Sequence, residues 1–169
     1  MIDIVTDAII LKKEFLGDFN AVYTFFTKDY GKTTAKATSV RKITSKLAAH
    51  LEPGLISKVR LVAKKGSFGS RSHFQVVDSL LQNRLFSDHY FLDLVSATTL
   101  PLQSDNAIWE FLLLGDPNKK KLMAICGFGE DPACISCGLP AVTLYYPDQE
   151  FMCRNCSSRI PQKLVTNII

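Results

Sequence analysis

Lys32-Thr33-Thr34-Ala35-Lys36-Ala37-Thr38-Ser39-Val40, then Ser45-Lys46-Leu47-Ala48-Ala49-His50-Leu51-Glu52-Pro53-Gly54, then Leu55-Ile56-Ser57-Lys58-Val59-Arg60-Leu61-Val62-Ala63, reads as strand, short helix and strand in succession. The first strand follows the turn signal Asp29-Tyr30-Gly31-Lys32 and returns as a hairpin, alternating Thr and Ala with Lys. Ile43, Leu47 and Leu51 recur at helical spacing, and Glu52-Pro53-Gly54 stops that helix. Upstream, Ile2, Ile4, Ala8 and Ile10 fall on one face of an extended run, and Val22, Thr24 and Phe26 on one face of a second. Downstream, residues 73–77 form a further strand beyond the segment Gly66-Ser67-Phe68-Gly69-Ser70. Five short strands with a helix between the third and fourth is the element order of an OB-fold, a small Greek-key barrel. An SH3-like or other small barrel fits the pattern nearly as well.

The period changes after Val77. Leu81, Leu85, Leu92 and Val95 fit one helix face, and Ile108, Phe111 and Leu112 another. Asp116-Pro117 reads as cap and first helical position of a helix over residues 119–127. The expected fold class is α+β. A five-stranded OB-fold over residues 1–80 precedes a helical domain over residues 81–169, with a four-cysteine zinc module embedded at 134–156.

That module is the strongest local signal. Cys134-Ile135-Ser136-Cys137 and Cys153-Arg154-Asn155-Cys156 give C-x2-C-x15-C-x2-C. Each C-x2-C turn aims two thiolates to one side, and two such turns close a tetrahedral shell around zinc. A redox pair would need a strand-to-helix setting that neither turn has, and disulfides do not suit a cytosolic chain. Four thiolates leave no open position for a catalytic water, so Cys134, Cys137, Cys153 and Cys156 are expected to hold one structural Zn2+. Cys126, beside Leu122 and Ile125, reads as a core residue.

Composition narrows the remaining classes. The chain has 169 residues, 47% hydrophobic and 21% charged, in the range of globular proteins. Its longest uncharged run, residues 132–147, is too short and too interrupted to span a bilayer. The acidic start Asp3…Asp7 is unlike a secretory signal, so a cytoplasmic, nucleoid-associated location without membrane contact is expected. Gly31-Lys32-Thr33 lacks the earlier glycine of a phosphate-binding loop, and Gly127-Phe128-Gly129 runs into Pro132 rather than a dinucleotide fingerprint. His50, His73 and His89 are scattered. No acid–base pair, nucleophile or open metal site can be assembled, and no enzyme is expected.

The net charge of +4 hides an asymmetry. Residues 1–75 hold 13 Lys or Arg against 6 Asp or Glu, net +7, and residues 76–169 hold 7 against 10, net −3. The front half therefore suits a polyanion. Lys32 and Lys36 share a strand face, flanked by Lys28, Arg41, Lys42 and Lys46. Lys58, Arg60 and Lys64 share another, and Lys65 and Arg71 border the loop carrying Phe68. Two basic strand faces would form a groove for a phosphate backbone, with Phe68, Tyr23 or Phe25 for stacking; Phe68 is the better stacking candidate, and Phe25 suits the core.

The run from Gly31-Lys32 to Lys36, Val40-Arg41-Lys42, Ser45-Lys46-Leu47-Ala48-Ala49-His50-Leu51-Glu52-Pro53, the opening Thr6-Asp7-Ala8-Ile9-Ile10-Leu11-Lys12 and the knuckle Cys134-Ile135-Ser136-Cys137-Gly138 resemble the bacterial RecO family of recombination mediators. The resemblance covers essentially the whole chain. It implies an OB-fold followed by a helical domain with embedded zinc. It also implies binding of single- and double-stranded DNA, annealing of complementary strands, and work with RecR and single-stranded-DNA-binding protein to load a recombinase. By motif, Lys36, Arg41, Lys42 and Lys46 would contact DNA. Members of that family continue with further helices after the metal module, whereas 13 residues follow Cys156, so a shortened helical domain is expected. Two other readings stay open: an RNA-binding OB-fold with a zinc ribbon, and a zinc-stabilised protein-interaction adaptor.

Overall fold

The computed structural model describes residues 2–40, 46–63, 74–145 and 147–168, with Lys46 and Lys163 by backbone alone. β1 (Ile2–Leu16) is long because it serves two neighbours. Its first half pairs with β4 (Leu55–Ala63) and its second with β2 (Asn20–Thr27), both antiparallel, with a bulge between Ile10 and Lys12. A bulge bends a strand and raises its twist, which lets one strand turn a corner of a closed sheet. β3 (Gly31–Ala37) pairs antiparallel with β2, and β5 (Phe74–Arg84) antiparallel with β4. A two-residue parallel pairing, Ala35 to Phe74 and Lys36 to Gln75, joins β3 to β5 and closes the order β1-β2-β3-β5-β4. α1 (Lys46–His50) lies between β3 and β4. This is the five-strand arrangement expected, with β4 over the expected residues.

Alternation along β1 and β2 feeds two cores. Ala8, Ile10, Tyr23 and Phe25 point into the closed sheet, where Ala21, Ala35 and Ala37 leave room for the two rings and Leu51 covers one end. Ile9, Leu11 and Phe26 point outward into a second core with α2 (His89–Thr98), α3 (Asn106–Leu113) and α4 (Lys119–Ile125). Burial on both faces explains why residues 8–11 are continuously apolar. Phe26 stacks on Trp109 at 6.5 Å between centroids, so the outer face of the sheet and the helices share one packed interface.

Two close backbone approaches fasten the halves. Leu102 N donates to Lys32 O at 2.8 Å, and a Cβ on Gly31 (φ +63°) would lie 1.8 Å from the Gln103 carbonyl oxygen. Gly54 (φ +83°) accepts from Leu85 N and Phe86 N, and a Cβ there would meet Phe86 O at 2.0 Å. Only glycine permits both the left-handed backbone and the contact.

The C-terminal part differs from its helical expectation in three respects. Leu81 and Leu85 are not on a helix: β5 runs to Arg84 because β4 supplies ladder partners as far as Leu55. α2 begins only after Asp88, whose carboxylate accepts from Tyr90 N and Phe91 N. α4 is capped by Asn118, which accepts from Lys121 N, rather than by Asp116-Pro117. A small antiparallel sheet is also present, β7-β6-β8, formed by β6 (Thr143–Tyr145), β7 (Glu150–Met152) and β8 (Val165–Asn167), with α5 (Arg154–Ser157) after β7.

Candidate metal centre and basic face

The four cysteines converge through two backbone turns. In the first, Gly138 N donates to Cys134 O at 2.8 Å and Cys134 N to Leu139 O at 2.7 Å, with Gly138 left-handed at φ +73°. In the second, Cys153 immediately precedes α5 and its carbonyl accepts from Ser157 N at 3.0 Å. Ile135 N donates to Phe151 O at 2.9 Å, tying the first turn to β7 and so to the second. All four Sγ atoms lie within 4.8 Å of one another.

The spacing separates a metal site from disulfides. Cys137 and Cys153 sulfurs are 3.6 Å apart and Cys156 and Cys137 sulfurs 3.8 Å. A disulfide needs about 2.05 Å. Four thiolates at about 2.3 Å from a central metal stand about 3.8 Å apart, the edge of the tetrahedron. The thiols also titrate as a group. Hydrogen bonding from the Cys153 backbone, joined by Ser136 and Cys137, holds Cys134 down to about 6. The neighbouring thiols of Cys153, Cys134 and Cys137 push Cys156 up to about 12. Like charges packed this closely resist ionising together, and a bound cation removes that penalty. The cluster can therefore hold a metal ion, with all four protein positions filled.

Cys126 ends α4, half-buried against the second core, and burial raises its thiol above the ordinary range. It is a packing residue, as expected.

The basic positions do not form one uniform patch. Lys32, Thr34 and Lys36 lie on the outer face of β3, half-buried, opposite Phe26, Thr24 and Val22 of β2. Lys32 reaches across to α2: its Nζ donates to Ser96 O at 2.6 Å, in the last turn of that helix, where carbonyls lack helical partners and the dipole favours a cation. Burial lowers the Lys32 pKa. Gln149, in the β6–β7 turn, donates to the adjacent Ala97 O at 3.2 Å. The closed sheet and the metal module thus both cap the same helix end.

Lys28 is exposed in the turn after β2. Lys58 and Arg60 are exposed on β4, one strand beyond β5, and among acids: Asp7 lies 4.0 Å from Lys58, and Asp3 accepts two bonds from Arg60 at 2.9 and 2.5 Å. The bond from Arg60 holds the Asp3 carboxyl below its ordinary range. Tyr23 and Phe25, considered for stacking, are fully buried inside the closed sheet and cannot meet a base. Arg41, Lys42, Lys64, Lys65, Phe68 and Arg71 lie outside the described residues, as does the Lys46 side chain.

Lys12 was missed by pattern. Simple alternation puts it on the inner face with Ile10, but the bulge shifts it to the outer row opposite Thr24. Arg154 was also missed: it sits inside the second cysteine turn, and nothing local marks it as facing the sheet. Both line one cleft.

Compared with known proteins, residues 1–80 match the family described as Recombination protein O N terminal. The DNA repair protein RecO of Bacillus pumilus is 24% identical, over 94% of this chain and 70% of that protein. The one from Thermodesulfovibrio yellowstonii is 26% identical, over 90% of this chain and 70% of that protein. The DNA repair protein RecO of Bacillus subtilis is 23% identical, over 94% and 70%.

Proposed function

From the premise that the chain belongs to the RecO family, we propose that it is a non-enzymatic mediator of recombinational DNA repair. In this reading residues 1–80 form the nucleic-acid-binding domain and residues 81–169 the helical and metal-bearing one. The protein binds single- and double-stranded DNA and anneals complementary strands. With RecR and single-stranded-DNA-binding protein it helps to load the recombinase. Annealing requires no covalent step. Two polyanions must be brought together with their base edges left free, and lysines and arginines that neutralise phosphates accomplish this without reading sequence.

The observation that carries this reading is the match of the first 80 residues to the family, on a closed sheet whose outer face bears Lys12, Lys32 and Lys36. Arg41, Lys42 and Lys46 extend the basic sequence, and Lys28, Lys58, Arg60, Lys64, Lys65 and Arg71 supply further charge. The metal we assign is Zn2+, held by Cys134, Cys137, Cys153 and Cys156. Its contribution is structural, fixing the two turns and hence the short sheet they flank.

ATP-free annealing of complementary strands, naked and coated with single-stranded-DNA-binding protein, tests the proposal. Acceleration of both is expected. Acceleration of naked strands alone would remove the partner from the reading. Failure on both, with retention of RNA of the same sequence, would replace it by RNA binding.

A further inference from the structure

Where the outer face of β1–β3, the end of α2 and the metal module meet, they enclose a cleft of about 1160 Å³. Pockets that engulf small ligands run to roughly 300–1,000 Å³ and are mostly apolar. This one is larger, and polar side chains dominate its lining; Ala97, Val142, Ile160 and Val165 are the apolar ones. Its walls come from three separate parts of the chain, fixed to one another by Lys32 and Gln149 on the last turn of α2.

Among the described residues, the charged side chains lining the cleft are Lys12, Lys32 and Arg154 against Asp93, an excess of cations. Lys12 pairs with Glu14 at 3.0 Å, but both side chains are more than half exposed, so that pair is weak and exchangeable for a phosphate. Arg154, at the start of α5, is exposed and also lines the cleft. Asp93 lies on α2, half-buried and facing Lys12 and His89. Tyr90 also lines the cleft and is 67% exposed, which leaves the face of its aromatic ring open to a ligand. Gln162 and Asn167 add amide groups to the lining.

We propose that this cleft carries one strand of single-stranded nucleic acid, with phosphates on Lys12 and Arg154 and a base stacked on Tyr90. The proposal rests on the nucleic-acid reading above and deepens it by assigning the path. A duplex offers chiefly its phosphates, and would leave the ring and amides without a role. Unpaired bases use both, stacking on aromatic faces and bonding by their edges. The cleft is continuous with Thr24, Thr34 and Lys36 through Lys12, whose row on the sheet includes the two threonines. A strand crossing the outer face of β3 would pass from there into the gap beside the metal module.

The test uses the full metal-loaded chain and oligothymidylates of 8, 16 and 24 nucleotides (all lengths about those one OB-fold and its flanks can hold), beside a duplex of 24 pairs. Lys12→Gln with Arg154→Gln should flatten the single-strand salt slope by about 1.4, two contacts at about 0.7 each. Tyr90→Ala should weaken single-strand binding by about tenfold and leave duplex binding within about twofold. Metal content and the circular dichroism of each variant must equal the parent's, and Tyr90→Phe should restore binding. If the parent binds the oligonucleotides and both the Lys12→Gln/Arg154→Gln double variant and Tyr90→Ala match it at every length, the cleft is off the path and this inference fails while the nucleic-acid reading stands. If the parent binds no oligonucleotide, both fail together. If the variants leave DNA binding intact but lose retention of an acidic peptide, the cleft is a protein site and the proposal is overturned.

Discussion

The closed sheet and the metal module solve the same problem, organising short strands, by different physics. The sheet buries both faces of β1 and β2, so that Phe25 fills one core and Phe26 the next. The module has three strands of three residues each and a helix of four. Its apolar contribution to the core is small, chiefly Ala141, Leu144, Phe151 and Ile168. Strands this short do not hold together by ladder bonds alone. A metal ion on the four cysteines would give the module what the sheet obtains from apolar burial; structural zinc in small modules supplies about 10–16 kcal/mol.

Metal removal should therefore divide the two regions most sharply. On chelation, hydrogen-exchange protection at Val142 N and Ile168 N, which bond to Met152 O and Val142 O, should collapse. Amides of the β1–β2 pairing should keep theirs. Equal protection in both regions after complete metal loss would show that packing alone holds the module, as it does the sheet.

The next largest effect separates the two cores of the sheet. Phe25→Ala and Phe26→Ala should each cost about 3–5 kcal/mol, but their signatures differ. Phe26 stacks on Trp109, the one tryptophan of the chain. Phe26→Ala should shift Trp109 emission to the red in the folded state, whereas Phe25→Ala should do so only along with global unfolding. Identical emission spectra of the two folded variants would mean that the sheet and helices form one core rather than two.

How far these regions were legible in the sequence follows the same division. The cysteine spacing announced its site because four ligands at fixed intervals admit few geometries. β4 was readable because its ends are marked by Gly54 and by a change of composition. The bulge after Ile10 was not, since it alters the face of every later residue in β1 without any residue that demands it. Leu81 stands at helical spacing from Leu85 yet lies in a strand, because pairing with β4 overrides local period as far as Arg84. β8 is three residues whose partner, β6, lies 20 positions upstream, a long-range pairing with no local signature. The cleft residues Lys12, Tyr90 and Arg154 come from three elements and meet only in the folded chain.

The smallest expected effect sharpens the comparison within the basic face itself. Lys32 and Lys36 look equivalent by pattern, yet Lys32 spends its ammonium on the Ser96 carbonyl and is partly desolvated, while Lys36 ends among Val22 and Gln75. Lys32→Gln keeps a donor for that carbonyl and removes the buried charge, so stability should change by no more than about 1 kcal/mol. Burial lowers the Lys32 pKa below its ordinary 10.5. Between the lowered value and 10.5 the unfolded chain binds more protons than the folded one, so this group makes stability rise with pH across that window. Lys32→Gln should abolish that component. On single-stranded DNA, Lys36→Gln should flatten the salt slope by about 0.7, and Lys32→Gln by much less, because a cation already committed to a helix end has little left for a phosphate. Equal losses of slope from the two variants would mean that Lys32 releases Ser96 when DNA binds, and that the end of α2 yields on binding rather than serving as a fixed joint.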